Sequence, residues 1–404
     1  MKVLIYEHAC GGGVAEGMVS PEILAEGFGM LRLCAANLKA AGHEVIAIVD
    51  ESLVRLNAPL EAEIISVFSF QEAQQAILKI CANIDAAYII APETDKTLQL
   101  LVQFLEQNGV PTLNSYSKAI EAVADKAKLY RALNANTNVK TPKTIQVNAS
   151  QNVKEVIIGE FGFPVVIKPV DGVGCSGLSI IENELQISDA IKKIDATLAS
   201  ETFVIQEYLR GEAVSVSLLC TGTKILPISL NKQNITLTTP KGTSCYTGGV
   251  TPFAHKMQKE AFKTAEAAVN CFLGLKGYVG VDLILTDTGP VVVDINPRLT
   301  TSFVGLSHAT RFNLANAIVN AALNNSLPSE TVFSDRYVCF SKIETPQVDI
   351  YLLDILYGIP EVVSPPFPVQ DSKRGCMLIS SEGNSLEEAQ QLLEEAKRHL
   401  LNII

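Results

Sequence analysis

The chain has 404 residues, 48% of them hydrophobic, and a mean hydropathy of +0.24. That is enough apolar material for two or three cored domains, but no apolar run approaches the roughly 18–20 residues of a membrane span. A net charge of −11 disfavours nucleic-acid binding and predicts a soluble, cytoplasmic protein, while nine cysteines without a CxxC pair predict reduced thiols rather than disulfides or structural zinc.

Residues 2–6 form a short apolar strand that runs into Gly11, Gly12 and Gly13. The apolar start is too short for a signal peptide and is interrupted by Glu7 and His8. A strand entering a glycine turn opens many doubly wound α/β domains, and ligands sit at such strand ends; a plain tight turn is the other reading. Leu24, Phe28, Leu31, Ala35 and Leu38 give residues 23–40 helical periodicity, with Gly42 as the stop. Strands are predicted at 44–49, 85–91 and 109–113, a rhythm that argues a parallel sheet in a first domain ending near residue 113. Pro92, Glu93 and Thr94, just after a strand, read either as a substrate contact or as a helix start.

Residues 117–133 read as one helix carrying Asp125 and Lys126. Lys126 alone would be a solvated helix lysine. Residues 163–169 are a buried-type strand bearing Lys168, and lysine is rarely buried unpaired. The following loop, 171–177, contains Gly172, Gly174, Ser176 and Gly177. Its backbone N–H groups could wrap an anion, or it is a flexible hairpin; with Lys168 at its mouth, phosphate is the favoured ligand. It has neither the P-loop pattern nor a following helix of the Rossmann type. Residues 203–209 form a further strand, read as an edge that leaves through Arg210 and Gly211 and offers its backbone to a flat ring. Residues 231–252, polar and rich in Thr and Gly, read as a long loop or lid.

Residues 277–298 read as a β-hairpin. With the turn centred near Thr288, Asp282 falls opposite Asp294. Val281, Leu283, Leu285, Val291, Val293 and Ile295 share an apolar face, and Asp282, Asp294 and Asn296 share the other. Two carboxylates side by side repel unless a cation sits between them, and oxygen ligands on rigid strands suit Mg²⁺. Solvated acids on a surface hairpin are the alternative; Arg298, a bidentate phosphate or carboxylate donor, tilts the balance towards a site. After residue 337 the composition shifts: two strands, a Pro-rich stretch at 360–368, and a final helix opened by a Ser385/Glu388 capping box. This segment reads as a structural appendage.

A helix lysine, a strand lysine, a glycine loop, a strand with Glu and a paired-acid hairpin ending in Asn-Pro-Arg together resemble the ATP-grasp superfamily, over about residues 113–325. The fold it implies is α/β: an N-terminal doubly wound pre-ATP-grasp domain (1–113), an ATP-grasp domain (114–330, with a small lobe at about 114–208 and a large lobe at about 209–330) and a C-terminal α/β appendage (331–404). The resemblance assigns Lys126 and Lys168 to ATP phosphates, the loop 172–177 to the β- and γ-phosphates, Gln206, Glu207 and Leu209 to adenine, and Glu212 to the ribose. Asp282, Asp294 and Asn296 would carry Mg²⁺, with Mn²⁺ as a substitute, and Arg298 would steady the transferred phosphoryl group. The family commonly has Glu where Asp294 stands, so the ions would lie closer to the strand. The start IYEHACGGG and the tail DINPRLTTSFVGL resemble the archaeal-type ligases that include tyramine–L-glutamate ligase of methanofuran biosynthesis. The expected activity is ATP-dependent joining of a small-molecule acid and amine, with no nucleic acid or membrane partner and self-association left open. A kinase, a biotin-dependent carboxylase subunit and a non-catalytic ATP-binding module are the alternatives. By exclusion from the ATP motifs, Glu7, Gly11, Gly12, Gly13, Tyr246, Gly248, Gly249 and Arg298 are expected to form the acid and amine pocket.

Overall fold

Near the N-terminus, short runs of Val, Ile and Ala are buried on both faces, the pattern of a parallel sheet covered by helices. A computed structural model describes residues 1–13, 20–136, 138–148, 150–170, 175, 177–195, 202–329, 333, 335–368 and 374–404. In it β1 (Lys2–Glu7), β2 (Glu44–Asp50), β3 (Glu63–Val67) and β4 (Ala86–Ile90) form a parallel sheet in the order β3-β2-β1-β4. The edge strand β3, largely exposed, is not among the strands predicted from the sequence, although Ile64, Ile65 and Val67 give it an apolar run. Residues 109–113 contribute only an isolated bridge from Thr112 to Ala87 rather than a strand. The helix Pro21–Ala40 starts where the Ser20 side chain caps the N–H of Ile23, and it buries Phe28, Leu31, Cys34 and Leu38.

The helix expected over 117–133 is two helices, Ser117–Ala124 and Lys126–Asn134. Asp125 takes an extended conformation and caps the second, its Oδ1 accepting from the N–H groups of Ala127 (2.9 Å) and Lys128 (3.0 Å). A four-stranded sheet follows: β5 (Thr144–Asn148), β6 (Val165–Pro169), β7 (Ser179–Ile181) and β8 (Thr202–Glu207), ordered β5-β8-β6-β7. β8 is therefore internal, flanked by β5 and β6, and not the edge the sequence suggested; only the backbone beyond Glu207 leaves the ladder.

A seven-stranded antiparallel sheet follows: β9 (Glu212–Thr221), β10 (Ile225–Thr236), β11 (Cys245–Thr251), β12 (Lys276–Thr286), β13 (Gly289–Asn296), β14 (Tyr337–Pro346) and β15 (Arg374–Gly383), ordered β13-β12-β9-β10-β11-β14-β15. The expected loop at 231–252 is mostly the β10–β11 hairpin. Its glycines serve close strand approach: a Cβ on Gly248 would lie 2.1 Å from the Phe340 carbonyl oxygen, and one on Gly249 2.3 Å from that of Lys232. β14 and β15 extend the same sheet, so the C-terminal segment is continuous with the large lobe.

The C-terminal helix Leu386–Ile403 is capped by Ser385 Oγ on the Glu388 N–H at 3.1 Å, while Glu388 reaches back to the N–H of Asn384 rather than Ser385. Ser385→Ala should cost about 1 kcal/mol, read as a lower urea midpoint with unchanged slope. All nine cysteines are free thiols. Among the described residues no helix is long and apolar enough to cross a membrane.

Candidate active site

The β12–β13 pairing puts Asp282 opposite Asp294, the pairing expected with the turn centred near Thr288, although the turn itself closes Thr286 on Gly289. Beyond them the ladder shifts: Leu283 pairs with Val292, so Val293 is an extra residue in a bulge. The bulge moves Val292 onto the apolar face with Val281, Leu283 and Ile295, and turns Val293 into the cleft wall, the reverse of simple alternation. Asp282 and Asp294 thus project into a cleft between this hairpin and the β5–β8 lobe, together with Asn296 and Arg298.

Each acid is held from a different direction. Asp282 accepts from Gln233 of β10 (2.9 Å) and from the Asn296 side chain (3.0 Å). Burial first, and then the nearby Asp294 charge, push the Asp282 carboxyl up to about 6, against the pull of those two hydrogen bonds. Asp294 accepts from Lys126 Nζ at 2.9 Å. The Asp125 cap fixes Lys126 as the first residue of its helix, an end where a lysine opposes the helix dipole and an anionic partner offsets it.

Lys168 is buried at the end of β6, with Nζ 3.4 Å from the Tyr130 hydroxyl, which itself donates to the Val293 carbonyl. Burial, with Lys126 adding to it, lowers the Lys168 ammonium to about 8 although the two aspartates favour its charge. Arg298 makes a bidentate pair with Glu93, Nε to Oε1 at 2.9 Å and Nη2 to Oε2 at 3.0 Å. Burial works against that guanidinium, but Glu93 and both aspartates outweigh it and hold its pKa above the ordinary value. Glu93 stands at the N-terminal cap position of the short helical turn Thr94–Lys96, the helix start expected of this segment, and is also the ion-pair partner of Arg298.

The remaining sequence-predicted residues divide. Tyr246 lines the cleft with Arg298. Glu7 lies buried beneath Gly27, its Oε2 accepting from the Cys10 N–H at 2.7 Å, and is not among the lining residues. Gly11, Gly12 and Gly13 pack on Tyr6, Ser69 and His8, and Gly248 and Gly249 on neighbouring strands. The expected eight-residue substrate pocket is therefore not assembled as one unit. Gln206 is buried and donates to Thr144 Oγ1 at 2.8 Å; Glu207 is exposed, Leu209 partly so, and Glu212 pairs with Lys232 at 2.8 Å. Gly172, Gly174 and Ser176 lie outside the described residues, while Gly177 is buried on Pro169 with φ +70°. Gln233 and Glu26, which carry no local sequence signal, line the same cleft, as does Glu93, marked in the sequence only by its place just after a strand.

Among the described residues no group of three or more His, Cys, Asp or Glu side chains could enclose a metal ion. Two carboxylates and an amide oxygen, one carboxyl pushed upward by burial and then by its neighbour, fit a hard divalent cation that takes its other ligands from phosphates and water. The cleft residues fit such a cation and a polyphosphate together.

A glycine-bearing hairpin lobe closing on an antiparallel sheet, with an acid pair and two lysines between them, defines a protein of the ATP-grasp class. The ATP-grasp domain family matches residues 123–302 and the pre ATP-grasp 3 domain family residues 43–120. The chain belongs to the ATP-grasp family, whose enzymes use ATP and a divalent metal. It is 34% identical to tyramine–L-glutamate ligase of Methanocaldococcus jannaschii over 61% of this chain and 65% of the relative, just under two thirds of that protein. It is 36% identical to the tyramine–L-glutamate ligase of Methanocaldococcus fervens over 61% of this chain and 68% of the relative. In fold it is similar to an L-amino acid ligase from Bacillus licheniformis, with a TM-score of 0.68 at 15% identity over 98% and 97% of the two chains.

Proposed function

We propose that the protein is an ATP-dependent carboxylate–amine ligase working through an acyl-phosphate, with L-glutamate and tyramine as its substrates. The observation that carries this reading is the meeting of Asp282, Asp294, Lys126, Lys168 and Arg298 in one cleft. The two curated ligases at 34% and 36% identity support the choice of substrates.

A carboxylate is a poor electrophile. Its oxygen attacks the γ-phosphorus of ATP, ADP leaves, and the acyl-phosphate carries a good leaving group. The amine nitrogen then attacks the carbonyl carbon, inorganic phosphate departs, and the nitrogen loses its proton to give the amide. Lys168 and Lys126 hold the phosphates by charge, and Arg298, kept rigid by Glu93, steadies the transferred group. Asp282, Asp294 and Asn296 would hold Mg²⁺, which when bound offsets the charge that builds on the phosphate oxygens. The backbone just past Glu207, free of the β5–β8 ladder, is the proposed adenine contact, and Glu212 the ribose contact.

ADP and phosphate should appear only when ATP, Mg²⁺, L-glutamate and tyramine are all present. ADP with a stable phosphorylated product and no amine requirement would make the protein a kinase. Stimulation by bicarbonate instead would favour a carboxylase, and silence with every acid and amine would leave a nucleotide-binding module.

A further inference from the structure

The cleft that holds Arg298 carries a further charged group that the reaction above does not use. Glu26, on the helix Pro21–Ala40, lines the cleft with Thr301 and Tyr246. Its Oε2 accepts from Thr301 Oγ1 at 2.6 Å, and its Oε1 pairs with Lys342 of β14. The pair is largely shielded, with side-chain exposures of 21% for Glu26 and 13% for Lys342. Lys342 also lies over the Tyr246 ring, 5.5 Å from its centroid. Burial acts against the Lys342 charge, but Glu26 outweighs it and keeps the ammonium above its ordinary value.

A shielded ion pair is weak evidence for stability, because desolvation offsets much of the attraction. Two features point beyond a structural tie. Only the anion reaches the cleft: Glu26 is a lining residue and Lys342 is behind it. Each Glu26 oxygen already has one donor, which fixes the carboxylate's orientation and leaves further lone pairs for a ligand. The group this wall can receive is therefore a cation with N–H donors, and an aromatic ring beside it suits an ammonium. Glu26 and Lys342 also fall outside both family matches, 43–120 and 123–302, as expected of residues that select a substrate rather than bind ATP.

We infer that Glu26, oriented by Thr301 and Lys342, is the subsite for a substrate ammonium group. This rests on the ligase reading, and the ammonium has two sources: the α-ammonium of an amino acid that serves as the acid, or the amine substrate before it loses its proton. Glu26→Gln should lower kcat/KM for the ammonium-bearing substrate by about 10- to 100-fold, the loss of one charged hydrogen bond, and leave KM for ATP unchanged. The arms separate the sources. If the α-ammonium is bound, the wild type prefers L-glutamate to glutarate and Glu26→Gln erases the preference. If the amine is bound, KM for tyramine rises and the two acids are affected alike. Because Glu26→Gln leaves Lys342 without its charge partner, the paired variant Glu26→Gln/Lys342→Met is measured beside Lys342→Met alone. A purely structural pair predicts that all three variants lose thermal stability with no change in either KM, and that result would overturn the inference. So would an equal rise in KM for ATP. A wild type that releases no phosphate with L-glutamate and tyramine defeats the substrate assignment instead, before any variant is made.

Discussion

Asp294→Asn lowers kcat by about 10³-fold while the circular dichroism spectrum and the cooperativity of unfolding are retained. The fold survives because the Asn oxygen can still accept from Lys126, which now sits 2.9 Å from Asp294 Oδ2. Turnover does not, because one of two carboxylates opposed across β12 and β13 is gone, and two are needed to hold a divalent cation on this hairpin. The same variant has a second readout. Asp282 is held at about 6 by burial and by the Asp294 charge, above the ordinary aspartate value of 3.8. A carboxyl raised in the folded state favours the fold when protonated. Its ionisation therefore costs stability as pH climbs past about 4, and the full cost is present above about 6. Removing the Asp294 charge should lower the Asp282 value, seen by carboxyl ¹³C NMR, and shrink that pH dependence. Near-normal turnover at millimolar Mg²⁺ would show that the pair is not the metal site, and an unmoved Asp282 titration would show that burial alone, not the Asp294 charge, holds Asp282 up.

What could be read from the sequence follows from how local each signal is. The acid pair is legible as two carboxylates on facing strands of one hairpin, but its register is not: the turn closes Thr286 on Gly289, which by alternation alone would set Asp282 opposite Val293, and the bulge at Val293 brings Asp294 into that place. The bulge has no signal, since no residue type marks Val293 as the doubled one, and the facing of Val292 and Val293 came out reversed. The helix break at Asp125 had a usable signal: Asp is a preferred N-cap, and apolar periodicity alone overrode it. The β10–β11 hairpin reads as a loop in sequence because two constraints remove its apolar pattern. One part of it faces the cleft through Gln233, Ile235 and Tyr246, and its glycines are imposed by the backbones of β10 and β14. Glu26, Glu93 and Gln233 lie on three elements that topology alone brings together, so no window of sequence contains their relationship. Glu7 misled for the converse reason. Its position at a strand end suggested a ligand contact, whereas its oxygens are spent on the turn that follows.

Lys168→Ala should weaken ATP binding by about 10- to 100-fold and leave adenosine binding unchanged, because a charged hydrogen bond to phosphate contributes about 1.5–3 kcal/mol. The wild type carries a signature that the variant must lose. Burial and the neighbouring Lys126 hold Lys168 at about 8, below the ordinary lysine value of 10.5. A lysine lowered in the folded state favours the fold when neutral. The penalty for its charge is full below about pH 8 and fades as pH rises towards 10.5. Phosphate oxygens beside Nζ reverse that balance and raise the value again, so nucleotide binding at pH 8 should take up about half a proton. Asp282, near 6, is already ionised at that pH and does not mask the effect. Calorimetry in two buffers of different ionisation enthalpy measures the uptake directly. Equal losses for ATP and adenosine in Lys168→Ala would mean that Lys168 serves the β6–Tyr130 packing and that Lys126 alone meets the phosphates, while no proton uptake by the wild type would mean that Lys168 is already charged before the nucleotide arrives.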